Sequence, residues 1–276
     1  MKILTPLQTL ERSITKKFRT TLWRPFIEGI KQYNLLEPND TIAVCVSGGK
    51  DSFVLAKLMQ LLQRHSIFPF TLHFLCMDPG YDPKTRHRVE ADAALLNIPL
   101  QYFQTNIFEV VTQTDRSPCY LCARMRRGHL YKQAQALGCN KIALGHHFSD
   151  VIETILMNQL YGGTFETMMP MLPSKNYENM HLIRPLYCVH EDAIIAWQRY
   201  NGLSFIKCGC PLAENCAVTE LGGRRAAVKA LVRQLKADNA EVEERIFQST
   251  HRVNAERVLG FVGGRDAKVK GLTSKD

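Results

Sequence analysis

The sequence has no apolar run of about 18 residues, the length that a membrane-spanning helix needs. Its basic amino-terminal stretch also has neither the apolar core nor the small-residue cleavage site of a secretory signal. We therefore expect a cytoplasmic protein without a membrane partner. Acidic residues are in the minority, with 26 Asp and Glu against 35 Lys and Arg and a net charge of +9. This balance permits a polyanionic partner such as nucleic acid but does not establish one.

A complete disulfide framework is also excluded, because the chain has nine cysteines, an odd number, and the cytosol keeps thiols reduced. Cys119 and Cys122 form a CxxC pair, whose thiols can ligate one metal ion or cluster, or form a redox disulfide. Further on, Cys208 and Cys210 form a CxC pair, with Cys216 six residues later. A site made of three cysteines leaves a fourth position open, as a catalytic cluster requires.

The Walker A motif is absent, but another phosphate-binding pattern is present. A β-branched run over residues 42–46 predicts a buried strand, and apolar residues at helical spacing over 52–64 predict a helix. The turn between them presents backbone N–H groups and a helix dipole to an anion. We expect it to bind phosphate through Ser47, Gly48, Gly49, Lys50 and Ser52, and Mg²⁺ through Asp51. This hexapeptide resembles the PP-loop of the N-type ATP pyrophosphatases, which cleave ATP to AMP and pyrophosphate and adenylate a substrate oxygen.

Strand and helix patterns alternate through the middle of the chain, which predicts an α/β fold with a doubly wound parallel sheet. The strands are expected over 42–46, 70–77, 100–103 and 141–145, and the helices over 52–64, 85–96, 122–137 and 149–160. Ligands of such a sheet bind at the carboxyl ends of the strands. In the resembled PP-loop fold the second strand ends beside the adenine, which implies contacts from the backbone near Cys76 and Met77.

We divide the chain into four regions. They are a basic helical extension (1–40), a catalytic domain with the CxxC pair (41–206), a cysteine-bearing segment with carboxyl-terminal helices (207–262) and a disordered tail (263–276). Within them we expect a loop over 168–180, short strands over 181–184 and 204–206, and a helix over 191–200.

A second group of polar residues follows the fourth predicted strand, in the sequence Gly145-His146-His147-Phe-Ser-Asp150. Because carboxyl ends of parallel strands share one edge, we expect this group beside the phosphate turn. Asp150 is then placed to share Mg²⁺, and a histidine to contact phosphate. A histidine pair elsewhere would more often be structural.

Two groups of arginines suit an RNA partner. Arg124, Arg126 and Arg127 follow the CxxC pair, where they attract phosphate and lower thiol pKa. Arg224 and Arg225 lie on a predicted carboxyl-terminal helix. The alternative for both groups is a solvated surface.

Taken together, these segments resemble the tRNA 2-thiocytidine synthetases, the TtcA family. The likeness rests on the PP-loop, the Pro118-Cys-x-x-Cys-Ala-Arg-x-Arg-Arg-Gly stretch, the Gly-His-His-x-x-Asp group and the Ile183-Arg-Pro-Leu segment. It implies an ATP- and Mg²⁺-dependent enzyme that thiolates an anticodon-loop cytidine of tRNA with a 4Fe-4S cluster held by three cysteines. Cys119 and Cys122 would be two ligands, and the third would be Cys208 or, alternatively, Cys210, with Cys216 still open.

The resemblance also implies a mechanism. AMP is transferred from ATP to the C2 oxygen of the cytidine, while Asp51 and Asp150 hold Mg²⁺. A sulfur nucleophile then attacks C2 and displaces AMP, with Cys208 or Cys210 as the catalytic cysteine. The sulfur comes as a sulfide or a persulfide from a donor system such as a cysteine desulfurase, and homodimers occur in the family. Two alternatives remain, namely a PP-loop iron–sulfur enzyme acting on another RNA base or a small molecule, and a non-catalytic zinc-bearing RNA-binding module.

Overall fold

The apolar runs predicted as strands form one six-stranded sheet in the computed structural model, which describes residues 4–113, 118–206 and 220–260. The strands are β1 Thr41–Cys45, β2 Thr71–Asp78, β3 Leu100–Gln104, β4 Lys141–Ala143, β5 Met171–Pro173 and β6 His181–Ile183. Their order is β3-β2-β1-β4-β6-β5, with every neighbouring pair parallel except β5 and β6. The predicted doubly wound α/β fold is confirmed, with one antiparallel pair at its edge.

Helices cover both faces of this sheet. They are α1 Pro6–Thr15, α2 Arg24–Gln32, α3 Lys50–His65, α4 Pro83–Leu95, α5 Ile107–Thr112, α6 Pro118–Ala136, α7 Phe148–Met157, α8 Glu191–Tyr200, α9 Glu220–Asp238 and α10 Val242–Ser249. A π-helical turn at Arg19–Trp23 joins α1 to α2, another at Asn158–Gly162 extends α7, and a 3-10 turn lies at Ala255–Arg257. No helix in the described ranges is long and apolar enough to cross a membrane.

The first strand lies at the centre of the core because both of its faces are apolar. Ile42 and Val44 are fully buried and belong to one cluster with the apolar residues of α3. The amino-terminal segment packs into that same cluster through Leu22 and Phe26, which are also fully buried. The amino-terminal segment therefore has an apolar face that is part of the main core, and its basic residues lie around that face.

A buried ion pair joins the beginnings of β1 and β4. Asp40, immediately before β1, accepts from Lys141 Nζ at 2.7 Å and from Asn140 Nδ2 at 2.8 Å. Asn140 Oδ1 in turn accepts from the backbone N–H of Thr41 at 2.9 Å. These contacts complement the ladder that pairs Ile42 with Lys141.

Two local expectations were wrong, and one short helix was not predicted. Residues 204–206 form no strand, because side chains anchor them: Phe205 stacks on Phe53 at 5.2 Å between ring centroids. The predicted loop over 168–180 contains β5, an edge strand in which Pro173 is tolerated. Helix α5 was not predicted, since its six residues are too few to show a helical period.

The chain order places two turns together. The chain passes from β1 to β2 and β3 on one side, and β4 then pairs with the other side of β1. The carboxyl ends of β1 and β4 are therefore neighbours at the point where the strand order reverses, which is the usual ligand site of an open α/β sheet.

Candidate active site

The turn between β1 and α3 is shaped to approach an anion. Gly48 has a φ of +86°, and a Cβ there would lie 2.7 Å from Val89 Cγ2 and 2.6 Å from Ile206 Cδ1. The Ser52 hydroxyl accepts from the backbone N–H of Ser47 at 3.1 Å and donates to the Gly49 carbonyl at 2.8 Å. Because α3 begins at the next residue, its first N–H groups and its positive dipole end face the turn.

The turn between β4 and α7 touches the first one. A Cβ on Gly145 would lie 3.1 Å from the backbone carbon of Asp51. His147 begins α7 with a reciprocal cap, in which its Nδ1 accepts from the N–H of Asp150 at 3.3 Å and Asp150 Oδ2 accepts from the N–H of His147 at 3.0 Å. His147 Nε2 then lies 3.7 Å from Asp51 Oδ1. The structure thus brings both predicted aspartates to one imidazole.

The oxygen chemistry of this site suits a hard cation. Asp51 Oδ1 is buried and accepts no hydrogen bond within the described ranges. A buried carboxylate oxygen without a donor is unusual unless a cation or water satisfies it. Carboxylate oxygens are the protein ligands that Mg²⁺ takes beside phosphate, so Asp51 and Asp150 fit this ion.

The neighbouring histidine is uncharged at neutral pH. Burial, with a smaller contribution from Arg184, lowers the pKa of His146 to about 4. Its Nδ1 is buried without a hydrogen-bond partner among the described residues. His146 therefore offers a neutral ring to a ligand, whereas Lys50 offers the charge.

A chain of ion pairs extends from this site to helix α9. Lys50 Nζ lies 3.0 Å from both Asp51 Oδ2 and Glu191 Oε1. Burial acts to raise the pKa of Glu191, but hydrogen bonds from Lys229 and Lys50 outweigh it and lower that pKa to about 2. Arg225 lies 2.7 Å from Asp150 Oδ1, so the predicted RNA contact is engaged by a carboxylate of this site.

Sequence reasoning missed three members of this chain, Glu153, Glu191 and Lys229. Glu153 could have been found, because it lies three residues after Asp150 on a helix and so shares its face. Nothing in the sequence links Glu191 or Lys229 to the PP-loop.

The CxxC pair lies on α6. Cys122 is partly buried in a cluster with Met77, Ile107 and Val111. Cys119 lies one turn earlier on the helix, and its side chain is outside the described part of the chain. Cys208, Cys210 and Cys216 fall in residues 207–219, also outside it. No group of three His, Cys, Asp or Glu side chains in the described ranges has a metal-binding arrangement.

The remaining cysteines are buried or partly buried thiols. Burial raises the pKa of the thiols of Cys45 and Cys76 to about 12, and that of Cys139 and Cys188 to about 11. Such thiols stay protonated at neutral pH, and only a thiolate binds metal well.

Cys76 and Met77, the residues expected beside the adenine, lie near the end of β2. The ladder between β1 and β2 ends with Cys45 opposite Leu75, whose carbonyl accepts from the N–H of Val46 at 2.8 Å. Because backbone groups alternate along a strand, Met77 directs its N–H and C=O to the same side, beyond the end of β1. The side chain of Cys76 is fully buried.

The predicted arginines have different surroundings. Arg126 lies over the Phe108 ring at 5.6 Å and lines a small cavity with Ser47 and Met77 at the phosphate turn. Arg124 and Arg127 are exposed. The guanidinium of Arg224 lies 5.2 Å from the centroid of the Tyr161 ring.

Comparison with known proteins agrees with this geometry. A family profile described as a PP-loop domain matches residues 14–208. A tRNA-cytidine(32) 2-sulfurtransferase from Syntrophotalea carbinolica is 36% identical over 235 residues, covering 84% of this chain and 88% of the relative. One with the same name from Geobacter sulfurreducens is 34% identical over 248 residues, covering 88% and 92%.

Among solved structures, the fold is similar to that of the U34-tRNA thiolase NcsA from Methanococcus maripaludis, determined with its 4Fe-4S cluster. The TM-score is 0.64 at 20% identity, over 83% of this chain and 77% of that one. At 20% identity this similarity shows a shared fold and nothing beyond it. The matched domain and the curated relatives together show that the chain belongs to the PP-loop family, among the tRNA-cytidine(32) 2-sulfurtransferases.

Proposed function

We propose that this protein is an ATP-dependent sulfurtransferase that replaces the C2 oxygen of a tRNA cytidine with sulfur. The observation that carries the proposal is the junction of the two strand-end turns. There His147 lies between Asp51 and Asp150, beside a glycine turn built for phosphate. The curated relatives, which match more than four-fifths of the chain, have this activity in their name.

The nucleotide end of the site activates oxygen. The C2 oxygen of cytosine is a poor leaving group. When this oxygen attacks the α-phosphorus of ATP, pyrophosphate is released and the oxygen becomes part of an AMP group, which leaves readily. The N–H groups of Gly48 and Gly49 and the ammonium of Lys50 bind the phosphates. Asp51 and Asp150 would hold Mg²⁺, which when bound neutralises charge on the phosphates.

The cysteine end delivers sulfur. Cys119, Cys122 and a third thiol, Cys208 or alternatively Cys210 or Cys216, would hold the 4Fe-4S cluster. Thiolates are the usual ligands of such a cluster, which when bound supplies an open iron position for sulfur. Attack of sulfur on C2 breaks the bond to the adenylated oxygen, and AMP leaves with that oxygen. The attacking sulfur is at the sulfide level, so when a donor system such as a cysteine desulfurase supplies it as a persulfide, a thiol reductant provides the two electrons that release it.

The RNA must bring one unstacked base between these two ends, and an unpaired anticodon loop makes this inexpensive. Arg124, Arg126, Arg127 and Arg224 are the proposed contacts to its backbone, since arginine binds phosphate in a bidentate manner. We further propose that the enzyme works in the cytoplasm as a homodimer, with residues 41–206 as its catalytic domain.

The test is analysis of the tRNA nucleosides. Protein purified without oxygen is incubated with tRNA, ATP, Mg²⁺ and sulfide, and the digested tRNA is examined by mass spectrometry. We expect 2-thiocytidine that depends on ATP. Thiolation of a different base, or none, would contradict the proposed substrate.

The cluster is tested by colour and iron content. We expect brown protein from the wild type, and colourless protein that still binds ATP from Cys119→Ser and Cys122→Ser. The control is Cys139→Ser, because Cys139 is a buried thiol outside the site. Bound zinc in colourless wild-type protein would instead favour the non-catalytic RNA-binding module.

A further inference from the structure

Helix α9 comes from the end of the described chain, yet it lies against the candidate ATP site. Val228 and Val232 are buried in one cluster with Val151, Ile152 and Ile155 of α7. This apolar contact fixes α9 along α7, the helix that carries Asp150. Its basic side chains then meet the carboxylates of α7 and α8.

Arg225 divides its guanidinium between two carboxylates of α7. Its Nη2 donates to Asp150 Oδ1 at 2.7 Å, and its Nε donates to Glu153 Oε2 at 2.8 Å. The other oxygen of Asp150 accepts from the backbone N–H of His147 at 3.0 Å. Both oxygens of Asp150 thus have a donor, and the carboxylate is held in one orientation, as outer-shell partners hold the ligands of a metal.

Lys229 lies four residues after Arg225, on the same face of α9. Its Nζ lies 2.7 Å from Glu191 Oε2, and the other oxygen of Glu191 lies 3.0 Å from Lys50 Nζ. Lys229 Nζ is also 3.9 Å from Glu153 Oε1, so Glu153 links the Arg225 branch, which ends at Asp150, to the Lys229 branch, which ends at Lys50. Helix α9 therefore contacts the second turn directly through Arg225 and reaches Lys50 of the first turn through Glu191.

We propose that Arg225 and Lys229 are positioning residues of the ATP site, where Arg225 orients Asp150 and Lys229 orients Lys50 through Glu191. The inference rests on the proposed ATP-dependent thiolation. It gives Arg225 a role different from the RNA contact expected from its charge, because carboxylates engage both its Nε and its Nη2.

Each branch has its own effect on nucleotide binding. When phosphates draw the ammonium of Lys50 away, Glu191 keeps Lys229 as its counter-ion. Without Lys229, Glu191 competes with the phosphates for Lys50. Without Arg225, Asp150 keeps the hydrogen bond from the His147 N–H but its Oδ1 loses the guanidinium donor, and Glu153, which is 4% exposed, loses its nearest cation. The Arg225 branch therefore affects Mg²⁺-dependent binding, and the Lys229 branch affects phosphate binding with or without Mg²⁺.

The experiment measures calorimetric affinity of the full-length, cluster-loaded protein for an ATP analogue with a methylene bridge between the α and β phosphorus atoms. We expect Arg225→Ala to weaken binding in Mg²⁺ by about 10- to 100-fold, the usual cost of losing an outer-shell partner. Without Mg²⁺ most of that difference should disappear. Lys229→Ala should weaken binding by roughly 10-fold in either condition.

Two further variants separate orientation from charge. Arg225→Lys keeps the charge but cannot span two carboxylates, so it should restore only part of the affinity. In an Asp150→Asn background, Arg225→Ala should change the affinity by less than about 2-fold, because interacting residues are not additive. The matched control is Arg233→Ala on the exposed surface of α9, which should bind as the wild type does.

Several results would overturn the inference. One is that Arg225→Ala binds the ATP analogue as tightly as the wild type does. A second is that Arg225→Ala loses affinity for tRNA only. A third is that its melting temperature falls while its affinity for the analogue, measured below that temperature, is unchanged. Additive losses in the double variant would also contradict it. Failure of the wild type to form 2-thiocytidine tells against the proposed function instead, and is read separately from these affinities.

Discussion

The two turns of the site are supported in opposite ways. The turn after β1 is held by its own residues, since Ser52 bonds both Ser47 and Gly49 within six positions. The turn after β4 depends on a distant helix, because Asp150 accepts from Arg225 of α9. The first turn supplies donors for phosphate together with one proposed cation ligand, Asp51, and the second turn supplies the other, Asp150. The backbone of the first turn is thus held by local hydrogen bonds, whereas the orientation of Asp150 in the second turn also depends on a distant helix.

The largest effect is expected from removing the charge of the first turn. Lys50→Ala should reduce the rate of 2-thiocytidine formation by roughly 10²- to 10³-fold, as loss of a preorganised electrostatic contact does. Single-turnover assays with saturating tRNA measure it. Lys84→Ala, an exposed lysine at the start of α4, is the control and should keep the wild-type rate. Equal rates in both variants would remove Lys50 from the phosphate site.

A glycine substitution sharpens the claim that the first turn is sterically closed. Gly48→Ala should lower the free energy of unfolding by about 3 kcal/mol, since positive φ and crowding by Ile206 and Val89 add together. Gly138→Ala shares the positive φ, at +69°, but no described atom lies within 4 Å of its new Cβ, so only about 1–2 kcal/mol is expected. Urea denaturation compares them. Equal losses would show that crowding at Gly48 is unimportant.

The distant support of the second turn should depend on pH. Glu243 of α10 anchors Lys236 of α9 at 2.7 Å and lies 3.6 Å from His190, while Lys236 also pairs with Asp192 and His190 with Glu244. The hydrogen bond from His190, with that from Lys236, outweighs burial and lowers the pKa of Glu243 to about 2. A lowered pKa stabilises the fold above the unfolded value of about 4.3, and this stability is lost as pH falls through the folded value.

We therefore expect wild-type stability to decrease between about pH 5 and pH 2 by roughly 2 kcal/mol more than that of Glu243→Gln. Denaturation across this range measures the difference. Glu241→Gln, which removes an exposed carboxylate that pairs with Arg245, should follow the wild type. Parallel curves for wild type and Glu243→Gln would exclude this anchor.

The smallest effect tests one external contact of the first turn. The Tyr81 hydroxyl donates to the Ser47 carbonyl at 3.2 Å, the contact by which β2's loop touches the turn. Tyr81→Phe should raise KM for ATP by about 2- to 12-fold, since one neutral hydrogen bond is worth about 0.5–1.5 kcal/mol. Tyr200→Phe, at the end of α8, should change nothing. A larger loss would mean that the first turn is less self-sufficient than its internal hydrogen bonds indicate.

The sequence was informative where a structure is short and continuous. The strand–turn–helix around Gly48 and the strands β1 to β4 follow from periodicity and turn chemistry, and the structure has them within a few residues. Residues 204–206 were misjudged because their conformation depends on Phe53, Gly48 and Arg88, which lie more than 100 positions away. Glu191 and Lys229 were missed for the same reason, since an ion pair between remote segments leaves no pattern in either one.

The buried pair of Asp40 and Lys141 lies at the opposite end of the sheet from the site. It fixes the pairing of β1 with β4, and a slip of one residue would displace one strand by about 3.3 Å and reverse its faces. Catalytic geometry is sensitive to errors of about 1 Å. This salt bridge therefore sets the register of β1 against β4. Because the register decides where each strand ends, it places the turn after β1 beside the turn after β4.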